Sequence, residues 1–228
     1  VRPTRLVVLL ATAVVVAAAL VTWSRLRAPA ESPDGAGLGR LGDYGAVPPF
    51  TLIERSGRRV TRDDLFGHVS VVDFIYTRCT ETCPTQSLEL ARLQDEFASA
   101  PQLRLVSITI DGDHDTPAVL RDYAERYRAT DRWWFLTGDP RRVYCLATQG
   151  FHLAVEPPSG AAPSCGVALR SGPAPAWAHA GPHASLMHSA RLVLVDGHAR
   201  IRAYHVADAG GMRIVTANLR RLLAEARS

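Results

Sequence analysis

The chain has 228 residues, 47% of them hydrophobic and 21% charged, with a formal net charge of +4. That length suits one domain with appendages. All 26 basic residues are arginine, which excludes Schiff-base chemistry on a lysine, and their scatter, with no dense basic block, argues against nucleic-acid binding.

Residues 6–23, LVVLLATAVVVAAALVTW, carry no charge and are long enough for one membrane span. Arg2 and Arg5 precede the run, and Trp23, Arg25 and Arg27 close it, with Trp23 at an interfacial position. An N-terminal transmembrane helix over residues 1–27 is expected; a signal peptide ending at Ala28-Pro29-Ala30 is the alternative. Either exports the rest of the chain, and no cysteine directly after the run is available to take a lipid. Residues 28–47 are rich in Gly, Ala and Pro and are expected to be a flexible tether. The folded domain is expected over 48–228.

Residues 50–65 predict two short strands around a Ser-Gly-Arg turn, followed by a polar turn. HVSVVDFIY (68–76) is almost wholly apolar and β-branched, the pattern of a strand buried on both faces. Leu90, Leu93 and Phe97 recur at helical spacing over 84–98. A strand over 103–110 comes next. A helix over 116–128 is then expected, with Thr116 as N-cap, Pro117 at the first position and an apolar face of Val119, Leu120, Tyr123, Ala124 and Tyr127. A strand and turn over 133–140 lead to a helix over 140–150. Residues 191–206 are two strands around Asp196-Gly197, a hairpin signal. An amphipathic helix over 211–227 ends the chain. Residues 156–184, rich in Pro, Gly and Ala, interrupt this order and read as an insertion.

Alternating strands and helices closed by a hairpin predict an α/β, thioredoxin-like fold: a central mixed sheet, flanking helices and a C-terminal β-hairpin.

Two of the four cysteines, Cys79 and Cys83, lie where the buried strand gives way to a helix, just before Pro84. A thiol at a helix start is expected to have a lowered pKa. A structural disulfide between such near neighbours would restrain the unfolded chain little, so the pair reads as active. A C-x-x-C spacing would indicate disulfide exchange. The longer C-x-x-x-C spacing lets two thiolates converge on one ion, and soft thiolates in an exported protein point to copper, with zinc as competitor. A histidine is the natural third ligand. His68, His114, His152, His198 and His205 are scattered, whereas His179, His183 and His188 cluster, with His188 just before the hairpin. The remaining cysteines, Cys145 and Cys165, are a candidate disulfide pinning the insertion to the domain.

DFIYTRCTETCP, SITIDGDHDTP, WFLTGD and HSARLVLVDG together resemble the Sco/SenC family over roughly residues 45–225. That family comprises membrane-anchored, thioredoxin-like proteins that deliver copper to the Cu-A centre of cytochrome c oxidase. The resemblance implies Cys79, Cys83 and His188 as copper ligands and Asp111 as an acidic residue near the copper loop. It implies the Cu-A-bearing oxidase subunit and other periplasmic copper carriers as partners. It also implies a single-pass location in the bacterial cytoplasmic membrane, with the domain on the periplasmic side. The chain departs from the family pattern at Gly112, where proline is usual, and in the insertion carrying Cys165, His179 and His183. Two other functions stay open. A thiol–disulfide oxidoreductase would use the same cysteine pair. A thiol peroxidase would use Cys83 in its Thr-x-x-Cys context, although Tyr76 stands where proline is wanted and His188 would be idle.

Overall fold

The computed structural model describes residues 39–80, 82–155, 165 and 191–226. The chain divides into two units, Val1–Ala36 and Gly37–Ser228, and every described residue lies in the second. The expected membrane span falls outside the described residues; among those described, no helix is long and apolar enough to cross a membrane.

The core is a seven-stranded mixed sheet. In chain order the strands are β1 (Thr51–Glu54), β2 (Arg59–Thr61), β3 (Val69–Ile75), β4 (Leu103–Thr109), β5 (Trp133–Thr137), β6 (Arg191–Val195) and β7 (Ile201–Val206). Their spatial order is β2-β1-β5-β4-β3-β6-β7. The central pairs β3–β4 and β4–β5 are parallel, while the β1–β2, β1–β5, β3–β6 and β6–β7 pairs are antiparallel. This is a thioredoxin-like sheet extended by an N-terminal hairpin.

Period-2 alternation divides the sheet residues between two cores. Val69, Val71, Ile75, Leu103, Leu105, Trp133, Phe135, Leu192 and Leu194 face a layer of three helices: α1 (Thr82–Glu96), α2 (Pro117–Arg126) and α4 (Ala209–Glu225). Those helices contribute Leu90, Leu93, Leu120, Tyr123, Val215, Leu219 and Leu222. Val72, Val106, Ile108, Leu136, Val193 and Val195 face the other way, onto α3 (Pro140–Cys145), the π-helical turn Leu146–Gly150 and the 3-10 helix Arg62–Leu65. Each such side chain contributes about 2 kcal/mol on burial.

The helices start where side chains meet their orphan N–H groups. Thr116 accepts from Val119 N before α2, Asp139 Oδ1 from Arg142 N at 2.9 Å before α3, and Asp208 Oδ1 from Gly211 N at 2.7 Å before α4. Gly211 is required there, since a Cβ would lie 2.0 Å from Val206 O.

Three details differ from the sequence reading. The domain starts before Pro48: Gly39, Gly42 and Tyr44 donate backbone bonds to Tyr204, Arg202 and Ile201, and Val47 is fully buried. A glycine-rich strap without a helical or strand pattern is ordered by pairing with β7, which covers that edge of the sheet. The 140–150 helix is α-helical only to Cys145 and widens into the π turn. The expected β6–β7 hairpin is present, but its connection extends beyond Asp196-Gly197: Asp196 Oδ1 accepts from His198 N and Arg200 N, and Ala199 takes a left-handed φ of 54°.

Cys145 and Cys165 are disulfide-bonded, with Cα atoms 5.5 Å apart. The remainder of the insertion, 156–164 and 166–184, lies outside the described residues.

Two buried titratable groups sit in the sheet. Asp73 is fully buried on β3, accepting from Ser107 Oγ at 2.6 Å and Gln86 Nε2 at 2.8 Å. Trp133 Nε1 donates in turn to Ser107 Oγ at 2.9 Å. Burial pushes the Asp73 carboxyl up to about 7, against the pull of those two bonds. His205 on β7 is 2% exposed, and burial pushes its imidazole down to about 4.

These shifts act on stability with opposite signs. An unfolded aspartate ionises above 3.8, but folded Asp73 holds its proton until about 7, so stability falls across that window by about 4 kcal/mol as pH rises. An unfolded histidine takes a proton below 6.5, but folded His205 refuses it until about 4, so stability falls by about 3 kcal/mol as pH drops. The two slopes oppose one another between about pH 4 and 6.5. Urea unfolding across that range should show Asp73→Asn gaining stability with pH and His205→Gln losing it, relative to the parent. Identical profiles for all three proteins would contradict the assignment. Replacing both Cys145 and Cys165 by serine should cost about 3 kcal/mol for a sequence separation of 20. An unchanged urea midpoint would show that the bridge adds nothing.

Candidate metal and thiol site

The central strands β3 and β4 run parallel, so their C-terminal ends open onto the same rim of the sheet. The cysteine loop comes directly after β3, and the turn holding Asp111 directly after β4.

Cys79 lies in the loop, and its N–H donates to Tyr76 O at 3.1 Å. Cys83 lies in the first turn of α1, and its N–H donates to Cys79 Sγ at 3.3 Å. The first cysteine thus satisfies one of the orphan donors at the helix start. Thr82 Oγ1 is 3.9 Å from the same sulfur. Neither cysteine is in a disulfide, and they are 7% and 4% exposed.

The lowered thiol pKa expected from the helix start is not found at Cys83. Burial pushes this thiol well above the ordinary range, helped by the hydrogen bond with Cys79, while a hydrogen bond with the Tyr76 backbone pulls the other way. Desolvation of a nearly sealed sulfur outweighs the helix dipole. Cys83 therefore holds its proton at neutral pH, and a metal or an oxidant must displace it.

Polar groups lie among the apolar residues behind the pair. Gln86, one turn after Cys83 on α1, carries the helix onto Asp73. Ser87 Oγ and Tyr123 OH are 3.0 Å apart and buried.

The turn after β4 holds the loop from the other side. Asp111 Oδ2 accepts from Arg78 Nη2 at 2.6 Å and from Nε at 3.2 Å. Asp115, fully buried, accepts from Thr77 N at 2.9 Å and from the Thr77 and Thr109 hydroxyls, and pairs with His114 Nδ1 at 2.8 Å. Asp111, His114 and Asp115 present ligand atoms within 4.8 Å of one another. Asp111 and Asp115 are engaged with Arg78, Thr77 and Thr109, so the cluster serves the architecture of the loop. Gly112 also finds its reason here, since a Cβ at this position would lie 2.0 Å from Gly138 O. The proline usual at this place does not fit against that carbonyl.

His188, His179 and His183 lie outside the described residues. The strand after His188 begins at Arg191, and Val72 pairs with Val193 across the antiparallel β3–β6 ladder. The start of β6 therefore lies toward the end of the sheet where β3 stops. Asp73, Thr77, Gln86 and Asp115 were not singled out from sequence. Asp73 carried a signal, being the one acid in an apolar strand; Thr77 and Asp115 carried none without the fold.

The SCO1/SenC family profile matches residues 41–224. The SCO1 protein homolog of Bacillus subtilis is 32% identical over 117 residues, covering 50% of this chain and 61% of that protein. Protein SenC of Rhodobacter capsulatus is 33% identical over 96 residues, covering 42% of each. The chain thus aligns with less than two thirds of either relative. Among solved structures, BsSco, a member of the Sco family of cytochrome c oxidase assembly proteins, shares the fold with a TM-score of 0.63 at 21% identity, covering 81% of this chain and 97% of that one. Copper-bound yeast Sco1 gives a TM-score of 0.54 at 21% identity, covering 75% of this chain and 87% of that one. With its profile spanning most of the residues and its sheet carrying the cysteine loop at the rim, this chain belongs to the SCO1/SenC family.

Proposed function

We propose that this chain is a copper-binding protein of cytochrome c oxidase assembly that holds the ion on Cys79 and Cys83, with an imidazole from His188. It would pass copper to the Cu-A-bearing subunit while tethered to the bacterial cytoplasmic membrane by residues 1–27. The observation that carries the reading is the pair itself: two buried thiols outside any disulfide, with Cys79 Sγ within hydrogen-bond reach of Cys83 N. Soft sulfur donors in a dry setting fit Cu(I) and compete for Zn(II). Each thiol must lose its proton to ligate, so loading releases protons. The position of His188 supports the third ligand. It stands three residues before Arg191, and that length of chain spans at most about 10 Å. Copper also appears with relatives: a Stutzerimonas stutzeri protein, 34% identical over 86 residues, is described as a putative copper-binding protein.

A second reading, reduction of a partner's disulfide by the same two thiols, is favoured by their closeness. One sulfur would attack and the other resolve.

His188→Ala separates the two. Losing residues that merely orient a ligand costs 10–100-fold in metal affinity, so losing a ligand should cost about that much or more. The loss should be larger for Cu(II), which favours imidazole, than for Cu(I). Reduction of a model disulfide should be retained. His179→Ala and His183→Ala, titrated alongside, should bind as the parent does. Unchanged copper affinity in His188→Ala would refute the three-ligand site.

A further inference from the structure

The loop that carries Cys79 is held at the two residues before it by one turn of the chain. Thr77 is bound from inside the protein, through both its N–H and its hydroxyl, by the buried carboxylate of Asp115. Arg78 is bound from outside by Asp111. The turn that supplies both acids is itself fixed. Asp115 N donates to Asp111 O at 2.8 Å, Asp111 N donates to Thr109 Oγ1 at 3.1 Å, and the Thr109 hydroxyl donates to Asp115. Gly112 lies against the Gly138 carbonyl. The Asp115 oxygens thus meet four partners, Thr77 N, Thr77 Oγ1, Thr109 Oγ1 and His114 Nδ1, which uses the acceptor capacity of a carboxylate.

The two anchors differ in kind. Arg78 is 62% exposed in its side chain, and an exposed ion pair of this sort holds weakly. Asp115 is fully buried, and removing a partner from a buried carboxylate is costly.

We infer that Asp115 is a positioning residue for the cysteine pair: through Thr77 it fixes the loop so that Cys79 Sγ meets Cys83 N in the dithiol form. The inference rests on the reading of Cys79 and Cys83 as the working pair. It adds that the placement of Cys79 Sγ is set from the turn after β4, not from the cysteine loop alone. Freed from Asp115, the loop loses the arrangement that favours the dithiol. The disulfide supplies its own covalent constraint and suffers less. The balance should shift toward the disulfide.

The test equilibrates the full 228-residue chain with glutathione and its disulfide. In the reaction two cysteine thiols and one glutathione disulfide give the Cys79–Cys83 bond and two glutathione thiols. Thiol trapping and peptide mapping then distinguish positions 79 and 83 from Cys145 and Cys165. Thr77→Val, which keeps the shape and the N–H but removes the hydroxyl, and Asp115→Asn should each move the equilibrium at least tenfold toward the disulfide, about 30 mV for this two-electron couple. Thr77→Ser should return to within twofold of the parent. The double variant should shift no further than Asp115→Asn alone, because the Thr77 hydroxyl acts only through its bond to Asp115. Equilibria within twofold of the parent in Thr77→Val and Asp115→Asn, with only the melting temperature lowered, would overturn the inference. So would additive shifts in the double variant, or no rescue by Thr77→Ser. Copper is absent from this measurement, so a parent chain that binds no copper would count against the proposed function alone.

Discussion

Everything at the site depends on the parallel pairing of β3 with β4. Seven consecutive residues, Val69–Ile75, run in register with Leu103–Thr109, and both strands are buried between the two helical layers. Parallel strands end on the same side, so the loops after them become neighbours without any contact of their own. The cysteine loop leaves β3 at that rim, and the Asp111–Asp115 turn leaves β4 beside it. The contact is then closed by short-range chemistry: Asp115 to Thr77, Asp111 to Arg78, and the Ile110 N–H donating to Ile75 O at 2.9 Å. A one-residue slip in the β3–β4 register would turn Asp73 out of the helix-facing core and misplace the loop with it.

The site combines two buried carboxyls in different roles. Asp73 has two side-chain donors, Ser107 and Gln86, and burial wins, pushing its pKa up to about 7. It is a polar point beneath the helix, bonded to Gln86 one turn after Cys83. Asp115 is as deeply buried but richly supplied with donors, and it joins two loops. Both carboxyls thus lie beneath or beside the elements that mount the cysteine pair. Cys83 shares that dry setting, which is why its thiol is harder, not easier, to ionise than one at an open helix start.

How much of this was legible in the sequence varies with the range of the interaction. Local signals read well. The Thr116-Pro117 start of α2 and the two-faced burial of β3 come from a few adjacent residues. The cysteine pair was marked by spacing and by its place at a strand-to-helix junction. Long-range effects were not legible. The strap at 39–47 has a tether's composition and becomes ordered only because β7 offers an open edge. The Cys83 shift depends on how deeply α1 seats against the sheet, which no periodicity reveals. Thr77 and Asp115 are 38 positions apart, so nothing local connects them. Gly112 looked like a neutral departure from the family pattern and proved to be demanded by the Gly138 carbonyl.

The central claim is that the two sulfurs at the rim of the sheet act together as the metal-binding pair. X-ray absorption at the copper edge, on the chain loaded anaerobically with one equivalent of Cu(I), tests it most directly. The account predicts two sulfur scatterers in the first shell, falling to one in Cys79→Ser and one in Cys83→Ser. A first shell of nitrogen and oxygen alone, or one that neither substitution changes, would contradict it.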